Sequence, residues 1–305
     1  MRNVFGIGET VFDIIFRNGQ PVGATPGGST YNSMISLGRA GVHAAFISET
    51  GDDRVGRQII EFLEQNGVSG RNVFIHRGQK SALSLAFLND QNDAEYVFYK
   101  DHAKDKLFFE YPEIHTNDVV LFGSFYAIND VVRAQVRDFL RYAKERGAIL
   151  YYDINFRASH KQDAERLMPN IQENLELADF VRASSEDCSI LFELSDVDDI
   201  YTRMISPYTK SFIYTNGGES ISVRSPEPYC YDVPKIETVS TIGAGDSFNA
   251  GFIYGLIRDN ITRETIENGL TPIQWNDLIE YGRAFSANVC QSLYNYIDTA
   301  FIDTK

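Results

Sequence analysis

The sequence predicts an α/β protein: a three-layer domain on a mostly parallel central sheet, with a small second β-sheet set apart from it. Three observations predict this. From Asn117 onward, short apolar runs of strand type alternate with segments of helical periodicity, the pattern of right-handed β-α-β units. Between Ser81 and Phe98 the pattern changes to two alternating runs around Asn-Asp-Gln-Asn-Asp, a hairpin rather than a β-α unit. The 305 residues, 43% hydrophobic and 23% charged, suffice for a large core with an appendage.

Taken in order, Asn3 to Glu9 is the first strand. Its Gly6-x-Gly8 lacks the third glycine of a dinucleotide-binding turn, and Thr10 to Phe16 continues as strand, so a nicotinamide-dependent oxidoreductase is rejected. Asp13 stands among hydrophobics in that second run, as a turn or edge-strand acid would. Pro26-Gly27-Gly28-Ser29-Thr30-Tyr31-Asn32 opens a helix to about Ala40, with Ser29 or Thr30 as N-cap. A buried strand from Ala44, a Gly-Asp-Asp turn and a helix to about Gly67 follow. The hairpin at 81–98 joins Thr10 to Ala24 in the small sheet. That divides the chain into a main domain (1–9, 25–79 and 106–305) and an appended sheet (10–24 and 80–105). Val119–Phe122, Ala148–Asp153, Phe180–Ala183 and Ser211–Thr215 read as strands; Asn129–Arg146, Asp163–Leu177 and Glu186–Phe192 read as helices. Ligands bind such sheets at the C-terminal strand ends. Polar clusters fall at those ends: Gly123-Ser124, Asp153 to Arg157, Ser184 to Asp187, and Thr215 to Gly218. One helix begins near Asp246 and ends near Asn260, and a last one covers Trp275 to Leu293.

Composition excludes several classes. A net charge of −14 is wrong for nucleic acid or an anionic membrane, which need basic patches. No apolar run approaches the ~18 residues of a membrane span, and no signal-like apolar segment precedes the first acids. Cys188, Cys230 and Cys290 are odd in number with no C-x-x-C spacing, so reduced thiols in a cytoplasmic protein are expected. The five histidines show no zinc-type pairing, and no G-x-x-x-x-G-K-[ST] is present.

The most informative stretch is Val239 to Tyr254, V-S-T-I-G-A-G-D-S-F-N-A-G-F-I-Y. Gly243, Ala244 and Gly245 precede Asp246, and Phe248, Phe252 and Leu256 follow at helical spacing. The plainer reading is a tight turn capped by Asp246. The sharper one is an anion hole. Small residues leave the first N–H groups of the helix open to a migrating phosphoryl group, and Asp246 takes the proton from the attacking hydroxyl.

T-I-G-A-G-D-S-F-N-A-G resembles the C-terminal signature of the ribokinase-like (PfkB) family of carbohydrate kinases. The resemblance runs along nearly the whole chain in order and leans toward fructokinase-like members, through F-Y-K-D-H-A-K-D-K-L, G-S-F and D-I-N-F-R. It implies a Rossmann-like main domain and a β-sheet lid that excludes water from the sugar site. It implies an ATP-dependent kinase with fructose as acceptor; ribose, 2-keto-3-deoxygluconate, a nucleoside, or a non-catalytic sugar-binding relative are the alternatives. Carried over residue by residue, Gly243, Ala244, Gly245 and Asp246 are catalytic. Asp13, Gly27, Gly28, Asn32, Asp153, Asn155 and Arg157 serve the sugar and phosphate side; Ser184, Thr215, Gly217 and Asn288 the nucleotide. Asp187 orders water around Mg²⁺. Many members have Asp where this chain has Ser240, an acid associated with a monovalent cation site, so K⁺ activation is not expected here. A homodimer through the lid is left open.

Overall fold

The computed structural model describes residues 2–88, 94–99 and 109–302. The turn at 89–93 and the string after Tyr99 therefore lie outside the described residues.

The chain starts in the middle of the large sheet with β1 (Val4–Ile7), then leaves it for β2 (Val11–Arg17) and β3 (Gln20–Gly27). It returns through α1 (Ser29–Arg39), β4 (Ala44–Gly51), α2 (Arg54–Gln65) and β5 (Val68–His76), and leaves again for β6 (Leu83–Leu88) and β7 (Ala94–Tyr99). The alternating half comprises β8 (Val119–Gly123), α3 (Arg133–Glu145), β9 (Ile149–Asp153), α4 (Ala164–Leu177), β10 (Phe180–Ser184), α5 (Ser185–Phe192), α6 (Val197–Ile200) and β11 (Ser211–Asn216). Then come the antiparallel β12 (Ser220–Ser225) and β13 (Glu227–Asp232), and α7 (Ala244–Arg258), α8 (Arg263–Glu267) and α9 (Pro272–Cys290).

Among the described residues nine strands form one sheet, ordered β13-β12-β11-β10-β9-β8-β1-β4-β5, and four form the second, ordered β3-β2-β6-β7. The large sheet is parallel from β5 to β11; only the β12–β13 extension runs antiparallel. Successive strand residues bury on opposite faces. Val119, Leu121, Ile149 and Tyr151 join the layer of α1, α7 and α9, whereas Val120, Phe122, Leu150 and Tyr152 join that of α3 and α4. This two-sided burial makes the strands continuously apolar and produces three layers.

The packing fixes where α7 sits. Phe180 of β10, Phe252 of α7 and Trp275 of α9 form a buried aromatic triad with centroids 5.2 to 6.1 Å apart. Each such pair contributes about 0.5–1.5 kcal/mol beyond its burial. Gly282 of α9 lies under the Phe248 ring, where a Cβ would come within 2.6 Å of it, so α7 and α9 approach closely.

Several boundaries differ from those read from sequence. Neither Ser29 nor Thr30 caps α1: the N-cap is Gly28, at φ 124°, and Ser29 spends its hydroxyl elsewhere. α7 begins at Ala244 behind Gly243 (φ 78°), so Asp246 lies inside the first turn and does not cap it. α3 begins at Arg133, because a short 3₁₀ turn at Phe125–Ala127 and the following loop occupy the preceding positions. β3 runs on past the 24/25 division to Gly27. β5, β12, β13 and α8 were not anticipated. β5 contains Arg71 and Asn72, β12 alternates serine with apolar residues, and β13 carries Glu227, Pro228 and Asp232, so none shows a plain apolar run.

Candidate active site

Two helix N-termini meet at Asp246. α1 starts at the Gly27-Gly28 turn, where a Cβ on Gly28 would come within 2.5 Å of the Glu9 carbonyl. α7 starts at Gly243, whose left-handed conformation lets the backbone turn against Asn295. From α1, Ser29 Oγ donates to Asp246 Oδ1 at 2.7 Å and Asn32 Nδ2 to Oδ2 at 2.9 Å, while Ser33 Oγ holds the Asp246 carbonyl at 2.8 Å. The carboxylate is 9% exposed. Burial raises its pKa, and the bonds from Asn32 and Ser29, with Arg157 and Arg182, oppose that rise. It is thus a held, poised carboxylate beside the first free N–H groups of a helix.

Asp13 reaches the same place from the small sheet. Ser84 Oγ, paired with it across β2–β6, hydrogen-bonds Asp13 Oδ1. A Cβ on Gly27 would overlap Asp13 Oδ2 and lie 3.8 Å from Asn32 Oδ1, so glycine there makes room for both. Burial raises the Asp13 pKa to about 6; the Ser84 bond lowers it, and Glu9 and Asp246 raise it further. Asn32 Oδ1 and Asn155 Nδ2 are buried with no hydrogen-bond partner. Each such orphan costs about 1–3 kcal/mol, and an acceptor and a donor left unmatched are what a hydroxylated ligand satisfies. Asn155 also adopts φ 38°, a strained position for a non-glycine residue.

Asp153, at the end of β9, is 3% exposed. Arg182 Nη1 donates to its Oδ1 at 3.1 Å and Asn249 Nδ2, from α7, to its Oδ2 at 2.7 Å. Burial lifts its pKa to about 6, Arg182 opposes this, and Asp187 and Asp246 add to it. Arg157 is exposed beyond β9, within electrostatic reach of Asp246. In register, Tyr96 and Phe98 of β7 share the face of Asp13 and Ser84, and Tyr96 lies within electrostatic reach of Asp13, Arg157 and Asp246.

On the other side, Thr215 Oγ1 accepts from Arg182 Nη2 at 2.6 Å, and Gly217 follows with φ 52° in open space. Ser184 and Asp187 form a capping box on α5: Ser184 N and Oγ both donate to Asp187 Oδ2 at 2.7 Å. Oδ1 is the oxygen left for any metal-bound water. Asn288 Oδ1 accepts from the Asp298 N–H at 2.8 Å, tying α9 to the C-terminal loop. Among the described residues no three His, Cys, Asp or Glu side chains cluster as metal ligands.

The structure thus brings Asp13, Gly27, Gly28, Asn32, Asp153 and Asp246 together at the strand ends. Sequence reasoning missed Ser29, Ser33, Ser84, Asn249 and Arg182. Arg182 carried a signal, a lone cation inside the apolar run Phe180–Ala183, and Asn249 another, a polar residue one helical turn after Asp246.

The model of the pfkB family carbohydrate kinases matches residues 1–295. The rice protein Fructokinase-1 (Oryza sativa subsp. japonica) is 29% identical over 242 residues, covering 77% of this chain and 74% of its own. Among solved structures, a fructokinase from Vibrio cholerae with fructose, ADP and potassium ion bound superposes with TM-score 0.85 at 18% identity, covering 99% of this chain and 98% of that one. Aminoimidazole riboside kinase from Salmonella enterica, complexed with aminoimidazole riboside and an ATP analogue, gives TM-score 0.83 at 20% identity with the same coverage. At these identities the two superpositions establish the ribokinase-like fold.

Proposed function

Because the chain belongs to the pfkB family of carbohydrate kinases, we propose that it transfers the γ-phosphate of ATP to a hydroxyl of fructose. The observation that carries this reading is the buried Asp246 carboxylate, fixed by Ser29 and Asn32 at the mouth of a helix N-terminus. An acceptor hydroxyl beside Asp246 gives up its proton to that carboxylate as it attacks. The N–H groups of Gly243 and Gly245, with that of Ala244 beside them, which donates to the Thr241 carbonyl at 3.2 Å, receive the charge on the moving phosphoryl oxygens. Asp13, with Ser84 behind it, and the unmatched atoms of Asn32 and Asn155 bind the sugar hydroxyls. Arg157 offsets phosphate charge, Thr215 and Gly217 receive the nucleotide phosphates, and Ser184 and Asn288 border the nucleotide. Mg²⁺, when bound, would supply neutralisation of phosphate charge. Asp187, whose Oδ2 is held by Ser184, would meet the water shell of such an ion.

The four-stranded sheet acts as the lid. Its Asp13 face closes over the sugar, and its other face, with Ile14, Phe16, Leu85, Phe87, Val97 and Tyr99 in register, is apolar and suits a homodimer contact. We place the protein in the cytoplasm, where the free thiols of Cys188, Cys230 and Cys290 stay reduced. A coupled ADP-release assay with ATP, Mg²⁺ and fructose, ribose, tagatose, 2-keto-3-deoxygluconate and adenosine tests the assignment. Fructose should lead by kcat/KM; another sugar leading replaces the acceptor, and silence across the panel with ATP bound overturns the catalytic reading.

A further inference from the structure

We propose that Arg182 is the positioning residue of the phosphoryl-transfer site, tying the acceptor side to the nucleotide side beneath the N-terminus of α7. The inference rests on the kinase reading above. Arg182 projects from β10, a central strand between β9 and β11, and is 7% exposed. Its Nη1 meets Asp153 on β9 at 3.1 Å and its Nη2 meets Thr215 on β11 at 2.6 Å. A Cβ on Gly245 would lie 3.0 to 3.3 Å from Nη2, Nη1 and Cζ, so the guanidinium supports the α7 N-terminus itself. Asp153 is also held by Asn249 of the same helix, which closes a loop β9–Arg182–α7–β9.

A buried arginine retained only as a strut would be matched to carboxylates and saturated with hydrogen bonds. Arg182 instead gives one arm to a neutral hydroxyl, and its Nε is buried without a partner. It therefore leaves positive charge under the place where phosphoryl charge develops. Besides Asp246, the acids in its reach are Asp153 on β9 and Asp187 on α5; Tyr151 is also close. The groups facing Asp246 are Ser29 and Asn32 of α1, Asp13 of β2, Tyr96 of β7, Asp153 of β9, Arg157 after β9 and Arg182 of β10. Of these Arg157 and Arg182 are the cations, and both favour the ionised base. Removing Arg182 leaves Asp246 protonated to higher pH.

The test compares Arg182→Met and Arg182→Lys with wild type. Arg182→Met should lower kcat by ~10²-fold while KM for sugar and for ATP moves by less than ~5-fold. The acid limb of its kcat profile should move to higher pH, and Arg182→Lys, which keeps the charge, should restore that limb. Folded Arg182→Met with near-normal kcat and an unmoved acid limb overturns the proposal. If Arg182→Met does not fold, an Arg182→Lys enzyme with unchanged kcat overturns the tie, because lysine cannot span both partners. A carboxyl ¹³C NMR titration of Asp246, assigned through Asp246→Asn, separates the two readings. An upward shift in Arg182→Met without turnover on any sugar supports the Arg182 role while sinking the kinase reading, and no shift sinks the Arg182 role whatever the turnover.

Discussion

Replacing Asp246 by Asn isolates the base from everything else it touches. In the wild type Oδ1 accepts from Ser29 and Oδ2 from Asn32. An amide turned with its oxygen toward Asn32 keeps that bond, and its nitrogen then faces Ser29, whose hydroxyl can turn to accept. The loss of charge-assisted character costs about 1 kcal/mol, partly offset because no charge is now buried. The variant should therefore fold, melt within a few degrees of wild type, and bind ATP and sugar with nearly unchanged Kd. Loss of a general base is worth ~10²–10⁴ in rate, or about 2.7–5.4 kcal/mol on the barrier at 1.36 kcal/mol per decade. In the coupled ADP-release assay kcat should fall by at least ~10² with KM little changed. Burial raises the Asp246 pKa, so wild-type kcat should drop on acidification at a pH above the ordinary carboxylate range, and that limb should vanish in the variant. Turnover within ~3-fold of wild type, with calorimetry showing intact binding, would refute the argument.

Three further outcomes are expected. Asp13→Asn should raise the sugar KM by ~10-fold or more while leaving ATP binding intact, since the lost carboxylate bonds to hydroxyls are charge-assisted. Its stability carries a separate signature: the Asp13 pKa rises from 3.8 to about 6, so the folded wild type holds a proton that the unfolded chain releases. That group's contribution grows as pH falls from above about 6 toward 3.8, and the variant's relative stability, read by urea denaturation, should be highest above that window and shrink through it. Ser240 Oγ is engaged by the Ile242 N–H at 3.2 Å, and replacing a large organic cation by K⁺ should change the rate by less than ~2-fold; a steep rise would contradict the reading of Ser240. In thiol titration Cys230, which is exposed, should react first, whereas Cys188, fully buried with its thiol pKa raised by that burial, should wait for unfolding.

The layered sheet was legible because β8 to β11 are short apolar runs between amphipathic helices, each buried on both faces. Gly245 and Asp246 stood out as candidates for a local reason, small residues and an acid at a helix start. What sequence hid is the long-range part. Ser29 looks like a cap by position, yet a carboxylate 217 residues away outcompetes the helix end for its hydroxyl. Ser184 and Asp187 read as nucleotide and metal contacts by resemblance, and the capping box between them is a local pattern that spacing alone could have revealed. Arg182 follows Phe180 and Val181 in an apolar run, and only its bonds to Asp153 and Thr215 on the flanking strands explain why a charge is stable there.

The pairing of β2 with β6 bears on how the chain is made. Phe12 lies beside Leu83 in parallel register, so a strand near the start of the chain waits for a partner 71 residues later. At ~5–20 residues per second, the β2 edge of the β2–β3 ribbon stays open for ~4–14 s during synthesis. β1 gains a first partner in β4, with Val4 beside Ala44, but its second, β8, begins only at Val119. Parallel and non-local pairings of this kind close late and slowly. Through that interval Phe12, Ile14 and Phe16, paired to β3 on one side, leave the other edge of β2 open on the ribosome, the segment on which a nascent-chain chaperone or a misassembly would act first.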